Sequence, residues 1–161
     1  MTLSLINHCL KCLNPCCHPG DPLLSEKERN EIINAGHKDL MYEVKSKFNE
    51  KFYRIKNENK QCSYLVDNKC SIEKVKPVLC RAFPVDVQWN YKENKREFGL
   101  RNDCYAMEVI NRKFINEAVK EFEKVSDEWA RKFTSDIHYE KRKKRHAKIG
   151  NIKQSTDRGN Q

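Results

Sequence analysis

The apolar positions of this chain change period along its length, and the changes mark its elements. From Tyr105 onward Met107, Ile110, Phe114, Ala118, Phe122, Val125, Trp129 and Phe133 step by three or four. That spacing predicts one long amphipathic helix whose apolar stripe lies on the rest of the core, with Ser126 or Asp127 placed to re-cap it. Before it Val85, Val87, Trp89 and Tyr91 alternate, Lys92 to Lys95 is polar, and Phe98 and Leu100 follow. Period two on either side of a polar break predicts a β-hairpin from about 85 to 100.

Nearer the N-terminus the signals are shorter. Ser25-Glu26-Lys27-Glu28 reads as a capping box that opens a short helix over Ile32 and Ile33, with Gly36 as its stop. Leu40, Met41, Val44 and Phe48 recur at helical spacing and predict a second short helix. Phe52 to Lys56 reads as a strand that turns at Asn57 to Lys60 into Cys62 to Val66, and Asp67-Asn68 makes the next turn before Cys70. Pro77 suits the first turn of a very short helix carrying Cys80. No internal repeat is expected, because the cysteine clusters differ in spacing and flanks.

The eight cysteines change the picture from a generic small domain to a metal protein. They fall at Cys9-x2-Cys12-x3-Cys16-Cys17, at Cys62-x7-Cys70-x9-Cys80 and at Cys104. Thiolates are the ligands of zinc and of iron–sulfur clusters, and a C-x2-C turn brings two sulfurs to one metal with almost no loop to close. Met1 to Leu10 shows no basic region, apolar stretch or small-residue cleavage site. A reduced, cytoplasmic protein is therefore expected, and metal rather than a disulfide framework. Adjacent Cys16 and Cys17 point apart in an extended segment, so they serve two irons, two metals, or one site and one buried thiol. Cys62, Cys70 and Cys80 would converge only through the fold. His8 and His18 flank the first cluster, but with so many thiols neither is needed, and His37, His138 and His146 are read as structural or surface groups.

Charge narrows the partners. Of the formal +9, residues 141 to 161 hold +7, leaving +2 for the rest. A cysteine-cluster domain over residues 1–135 and a basic, disordered tail over 136–161 are expected, the tail supporting only weak attraction to polyanions. The charged fraction is 34%, so the core is thin and metal should contribute to folding. No apolar run approaches membrane-spanning length. Phosphate loops, dinucleotide fingerprints, H-E-x-x-H and G-x-S-x-G are all missing from the chain. The fold expected is α+β: short helices, β-hairpins and a long C-terminal helix around a metal centre.

With the first cluster, Cys62-Ser63-Tyr64-Leu65, Cys70-Ser71-Ile72 and Lys76-Pro77-Val78-Leu79-Cys80-Arg81-Ala82-Phe83-Pro84, the chain resembles the YkgJ-type cysteine cluster family over roughly residues 9 to 104. The resemblance implies a zinc- or iron-chelating domain, with Cys9, Cys12, Cys16, Cys17, Cys62, Cys70, Cys80 and Cys104 as the metal ligands. The cofactor expected is an iron–sulfur cluster or zinc, with [4Fe–4S] favoured because structural zinc sites close with paired knuckles and this chain has one C-x2-C; the role expected is structural, redox or accessory to a protein partner. Relatives include flagellin lysine methylases, so the alternative is a metal-dependent group-transfer enzyme. Lys76 stands where the family usually has Arg, and three residues rather than two precede Cys16-Cys17. Arg81 is read either as tuning the metal centre or as a structural ion pair, Lys76 as a cap or surface cation, and Phe83-Pro84 as setting the exit from the Cys80 turn.

Overall fold

The structure, a computed structural model, describes residues 21–101, 104, 107, 109–136 and 146–148, the last three through their backbone. The architecture is α+β, with helices set against several small antiparallel sheets.

The first sheet has the order β1-β3-β2, from β1 (Leu23–Ser25), β2 (Met41–Val44) and β3 (Phe52–Ile55), all antiparallel. Helix α1 (Glu26–Asn34) follows β1 directly. Its capping box is complete, with Ser25 accepting from the Glu28 N–H and Glu28 reaching back, and Gly36 takes the positive φ of 87° that ends it. The segment expected to be a second short helix is instead β2. Its apolar spacing fits either period, and strand β3, with only the three residues of β1 on its other side, supplies a full ladder from Met41↔Ile55 to Val44↔Phe52. A non-local partner outweighs a weak local propensity here.

The sheet separates two cores. Leu23, Phe52 and the half-buried Val44 face the larger one, with Val85, Val87, Trp89, Leu100, Phe114, Phe122 and Trp129. Leu24, Met41, Tyr53 and Ile55 face the smaller one, with Ile32, Tyr64 and Ile72. Each fully buried Leu, Ile or Phe contributes about 1.5–3 kcal/mol, so the larger core carries most of the stability.

That larger core is built on the expected hairpin, β8 (Val85–Asn90) and β9 (Lys95–Arg101), paired from Val85↔Leu100 to Asn90↔Lys95. The expected long helix is two helices, α3 (Arg112–Glu123) and α4 (Asp127–Asp136). The first opens late because the Asn111 side chain caps it, accepting from the Phe114 N–H at 2.9 Å. The break between them is built by polar groups. Ser126 Oγ accepts from the Trp129 N–H at 3.0 Å, the re-capping anticipated from the sequence, and donates to Glu50 at 2.6 Å. Arg96 of β9 donates to the carbonyls of Phe122 at 2.5 Å and Val125 at 2.6 Å, and to Asp127; the Phe122 carbonyl also accepts from the Val125 N–H at 3.3 Å. Bending the chain there lets both apolar stripes reach β8.

On the far edge of β8 the N–H of Trp89 donates to the buried Thr134 Oγ1 at 2.7 Å, so α4 seals an edge that would otherwise template another strand. At the other edge of this sheet, β10 (His146–Lys148) pairs antiparallel with β9, His146↔Arg101 to Lys148↔Gly99. Three residues of the segment expected to be a disordered tail are thus a strand, and the rest of that segment lies outside the described residues.

Candidate metal centre

Between β3 and the hairpin of the larger core, the chain makes two successive miniature hairpins, and each ends on a cysteine. The first pairs β4 (Asn57–Glu58) with β5 (Gln61–Cys62); the second pairs β6 (Leu65–Val66) with β7 (Lys69–Cys70). Their two-residue turns have positive φ throughout, 50° and 63° at Asn59 and Lys60, 48° and 59° at Asp67 and Asn68. This is the turn whose twist matches a tight hairpin, and Asn and Asp tolerate it. Cys62 lies opposite Asn57, and Cys70 opposite Leu65.

The serine after each cysteine locks the base of its hairpin. Ser63 donates through N–H (3.0 Å) and Oγ (2.7 Å) to the carbonyl of Lys56, and Ser71 through N–H and Oγ (both 2.9 Å) to that of Tyr64. Lys56–Ser63 and Tyr64–Ser71 are therefore a structural repeat, contrary to the expectation of none. The sequence signal is only the shared Cys-Ser behind two turn-tolerant residues, since Asn57-Glu58 and Leu65-Val66 have nothing in common. The pair is anchored by Tyr64, 3% exposed, whose hydroxyl donates to the Lys38 carbonyl at 2.7 Å and accepts from the Leu40 N–H at 3.2 Å. Burial raises the Tyr64 pKa, the Leu40 N–H opposes it, and the charges of Asp39 and Cys62 add to it.

Cys80 comes from elsewhere, a one-turn helix α2 (Val78–Arg81) entered through Pro77. Arg81 donates through Nε to Glu121 of α3 at 3.1 Å, pairs with it through Nη2 at 3.0 Å, and donates through Nη1 to the Lys76 carbonyl at 2.6 Å. It is a structural ion pair joining α2 to α3. Glu121 is held below the usual carboxylate range, first by its hydrogen bond to Lys124 and, against burial, by Arg81. The cis Phe83–Pro84 bond, the Val85 N–H on the Ala82 carbonyl at 2.9 Å and the Arg101 N–H on the Pro84 carbonyl at 2.9 Å lead the chain out of α2 into β8, as expected.

Lys76 caps the end of the short 3-10 turn Glu73–Val75, as expected, but it is not a surface cation. Its side chain is only 15% exposed and is ion-paired with Glu73. Burial lowers its pKa, but the Glu73 hydrogen bond and the charges of Cys70, Glu73 and Cys80 outweigh it and hold the ammonium charged. One half-buried cation, itself paired with Glu73, thus lies within electrostatic range of thiols from two segments. A cleft of about 770 Å³, lined by Asn34, Ala35, Lys74, Lys76 and Arg81 among others, opens beside it.

Cys62, Cys70, Cys80 and Cys104 are half-buried thiols. Cys62 and Cys70 pack against the smaller core, whereas Cys104 packs against the larger one. Cys9, Cys12, Cys16, Cys17, His8, His18 and His138 lie outside the described residues. Among the described residues no three His, Cys, Asp or Glu side chains are grouped so that they could hold a metal ion, so Cys62, Cys70 and Cys80 do not converge into a site by themselves. The donor chemistry still fits zinc or iron: soft sulfurs, partly shielded from water, with the half-buried Lys76 ammonium nearby. It does not fit a hard cation that needs an oxygen cage.

The geometry missed from sequence is that of Glu28. It is buried, 6% exposed, and besides closing the capping box it accepts from the Val78 N–H of α2 at 2.7 Å. A capping-box signature foretells its local bond and not the second, because the partner is fifty residues away.

A family model, CxxCxxCC, described as "Putative zinc- or iron-chelating domain", matches residues 8–105. The matched segment opens one residue before Cys9 and closes one after Cys104, enclosing every cysteine of the chain. No curated protein and no solved structure matches the chain.

Proposed function

The chain belongs to the CxxCxxCC family of zinc- or iron-chelating domains, and from that premise we propose that it is a metal-binding protein with a thiolate-ligated centre to which α2 contributes Cys80. The observation that carries this reading is the enclosure of all eight cysteines within the matched segment. Cys9, Cys12, one of Cys16 or Cys17, and Cys80 would hold the metal. Cys62 and Cys70 would hold a second metal or pack near the first as half-buried thiols, and Cys104, packed on the larger core, would be the surplus thiol.

An iron–sulfur cluster of the [4Fe–4S] type suits this donor set better than zinc. Structural zinc sites close with paired knuckles, and this chain has one C-x2-C. A cluster accepts ligands from scattered segments because its irons present separate corners. When bound it would supply electron transfer or a covalent tie between distant segments. The chain's own part is to hold thiols half-buried, with the Lys76 ammonium nearby.

Anaerobic purification with metal, sulfide and visible-absorption analysis tests both levels. Iron and sulfide with a thiolate-to-iron absorption are expected, lost on Cys80→Ser and retained on Cys104→Ser. Colourless protein with stoichiometric zinc and no sulfide overturns the cluster, and protein with no metal at all overturns the centre.

A further inference from the structure

The one-turn helix carrying Cys80 is too short to hold itself. A four-residue helix lies far below the length at which helices persist alone, and its Pro77 N-cap has no side-chain acceptor. Its order comes from two other helices. At its start, Glu28 Oε1 accepts from the Val78 N–H at 2.7 Å, while Oε2 accepts from Ser25 N–H and Oγ at 2.9 and 3.0 Å. At its end, Arg81 is forked onto Glu121 and folded back onto the Lys76 carbonyl.

We propose that Glu28 and Arg81 are positioning residues that clamp α2 from its two ends and so preset the Cys80 thiol. Glu28 ties the turn to α1 and the smaller core, and Arg81 ties it to α3 and the larger one. A ligand whose backbone is already fixed loses less freedom on binding, so the clamp raises affinity without touching the metal. The inference rests on the metal-centre reading only in giving Cys80 a ligand's task.

The test is alkylation of the reduced, metal-free full-length chain by iodoacetamide, read thiol by thiol by mass spectrometry, with Cys104 as the reference inside the same molecule. Glu28→Gln keeps the shape but loses one of the two acceptor oxygens. It should speed modification of Cys80 relative to Cys104 by about tenfold, the scale of a lost hydrogen bond to a charged group. Ser25→Ala removes the α1 cap and leaves the Val78 bond, so the Cys80 ratio should stay within about twofold. A merely structural role would accelerate every thiol in both variants, and that result, or an unchanged ratio in Glu28→Gln, overturns the clamp. Should Glu28→Gln not fold, Arg81→Lys opens the other end with the same expectation.

Cobalt(II) titration, followed through the thiolate-to-cobalt charge-transfer band, supplies the second reading. Glu28→Gln should weaken cobalt binding about tenfold. A wild-type chain that takes up neither cobalt nor iron overturns the metal-centre reading whatever the alkylation shows. A metal-binding wild type whose Cys80 ratio is insensitive to Glu28 and Arg81 overturns the clamp alone.

Discussion

Replacing Tyr64 by Phe isolates the anchor of the cysteine hairpins. The ring keeps its place in the smaller core, so no cavity opens, and only the hydroxyl is lost. That hydroxyl makes two bonds, to the Lys38 carbonyl at 2.7 Å and from the Leu40 N–H at 3.2 Å. A net hydrogen bond contributes about 0.5–1.5 kcal/mol, and a buried partner left unpaired adds to the loss. Lys38 is exposed, so its carbonyl can turn to water, whereas Leu40 is half-buried. The expected loss is therefore about 2 kcal/mol, or a fall in Tm of roughly 8 °C for a domain of this size. Urea titration should show a lower midpoint at an unchanged slope.

The pH dependence gives this prediction a second edge. Burial raises the folded Tyr64 pKa above its ordinary 10.0, so the folded state holds that proton more tightly. Stability from this group is complete below the unfolded pKa and is lost as pH rises through the folded one. Above pH 10 the wild type should thus lose stability faster than Tyr64→Phe, other titrations cancelling in the difference. A loss under about 0.5 kcal/mol, together with parallel alkaline profiles, would refute the anchoring role.

Three further outcomes follow from particular contacts. Arg96→Met should lower stability by about 2 kcal/mol in urea titration, mainly through the lost charged bonds to the Phe122 and Val125 carbonyls, the former keeping its bond from the Val125 N–H, because its Asp127 partner is largely exposed; a neutral result would mean that the break between α3 and α4 holds without it. Lys60→Gly should raise stability by about 0.5–1 kcal/mol in the same titration, since Lys60 sits at a φ of 63° that glycine adopts freely, and destabilisation would contradict the turn geometry. Glu121→Gln should flatten the loss of stability below pH 4.5: its folded pKa is depressed by Lys124 and Arg81, so its contribution is present above the unfolded pKa and lost as pH falls through the folded one. Acid melts compared in one metal state check this, and curves for the two proteins that stay parallel would count against the pairing.

Local grammar was legible wherever a segment's shape depends on its own residues. The capping box at Ser25, the strand at Phe52, the turn at Asp67-Asn68, the Cys80 turn after Pro77 and the hairpin from Val85 all appear as expected. Met41–Val44 failed because four apolar positions in nine residues satisfy both periods, and the choice lay with β3. The long helix failed because a regular stripe says where apolar groups fall, not whether the axis bends. Arg96, a strand residue, decides that by taking the freed carbonyls.

By itself the sequence determined the chemistry of this protein: eight thiols, their grouping and the family that groups them so, because ligand type resides in side-chain identity. Only the tertiary structure decided the neighbours. Cys62 and Cys70 became equivalent ends of a repeat through backbone turns that unlike side chains can share. Lys76 became a half-buried cation paired with Glu73, and Glu28 a support for the Cys80 turn, because packing two cores on one sheet brings distant segments together. Those relations depend on chain closure over tens of residues, which no local pattern encodes.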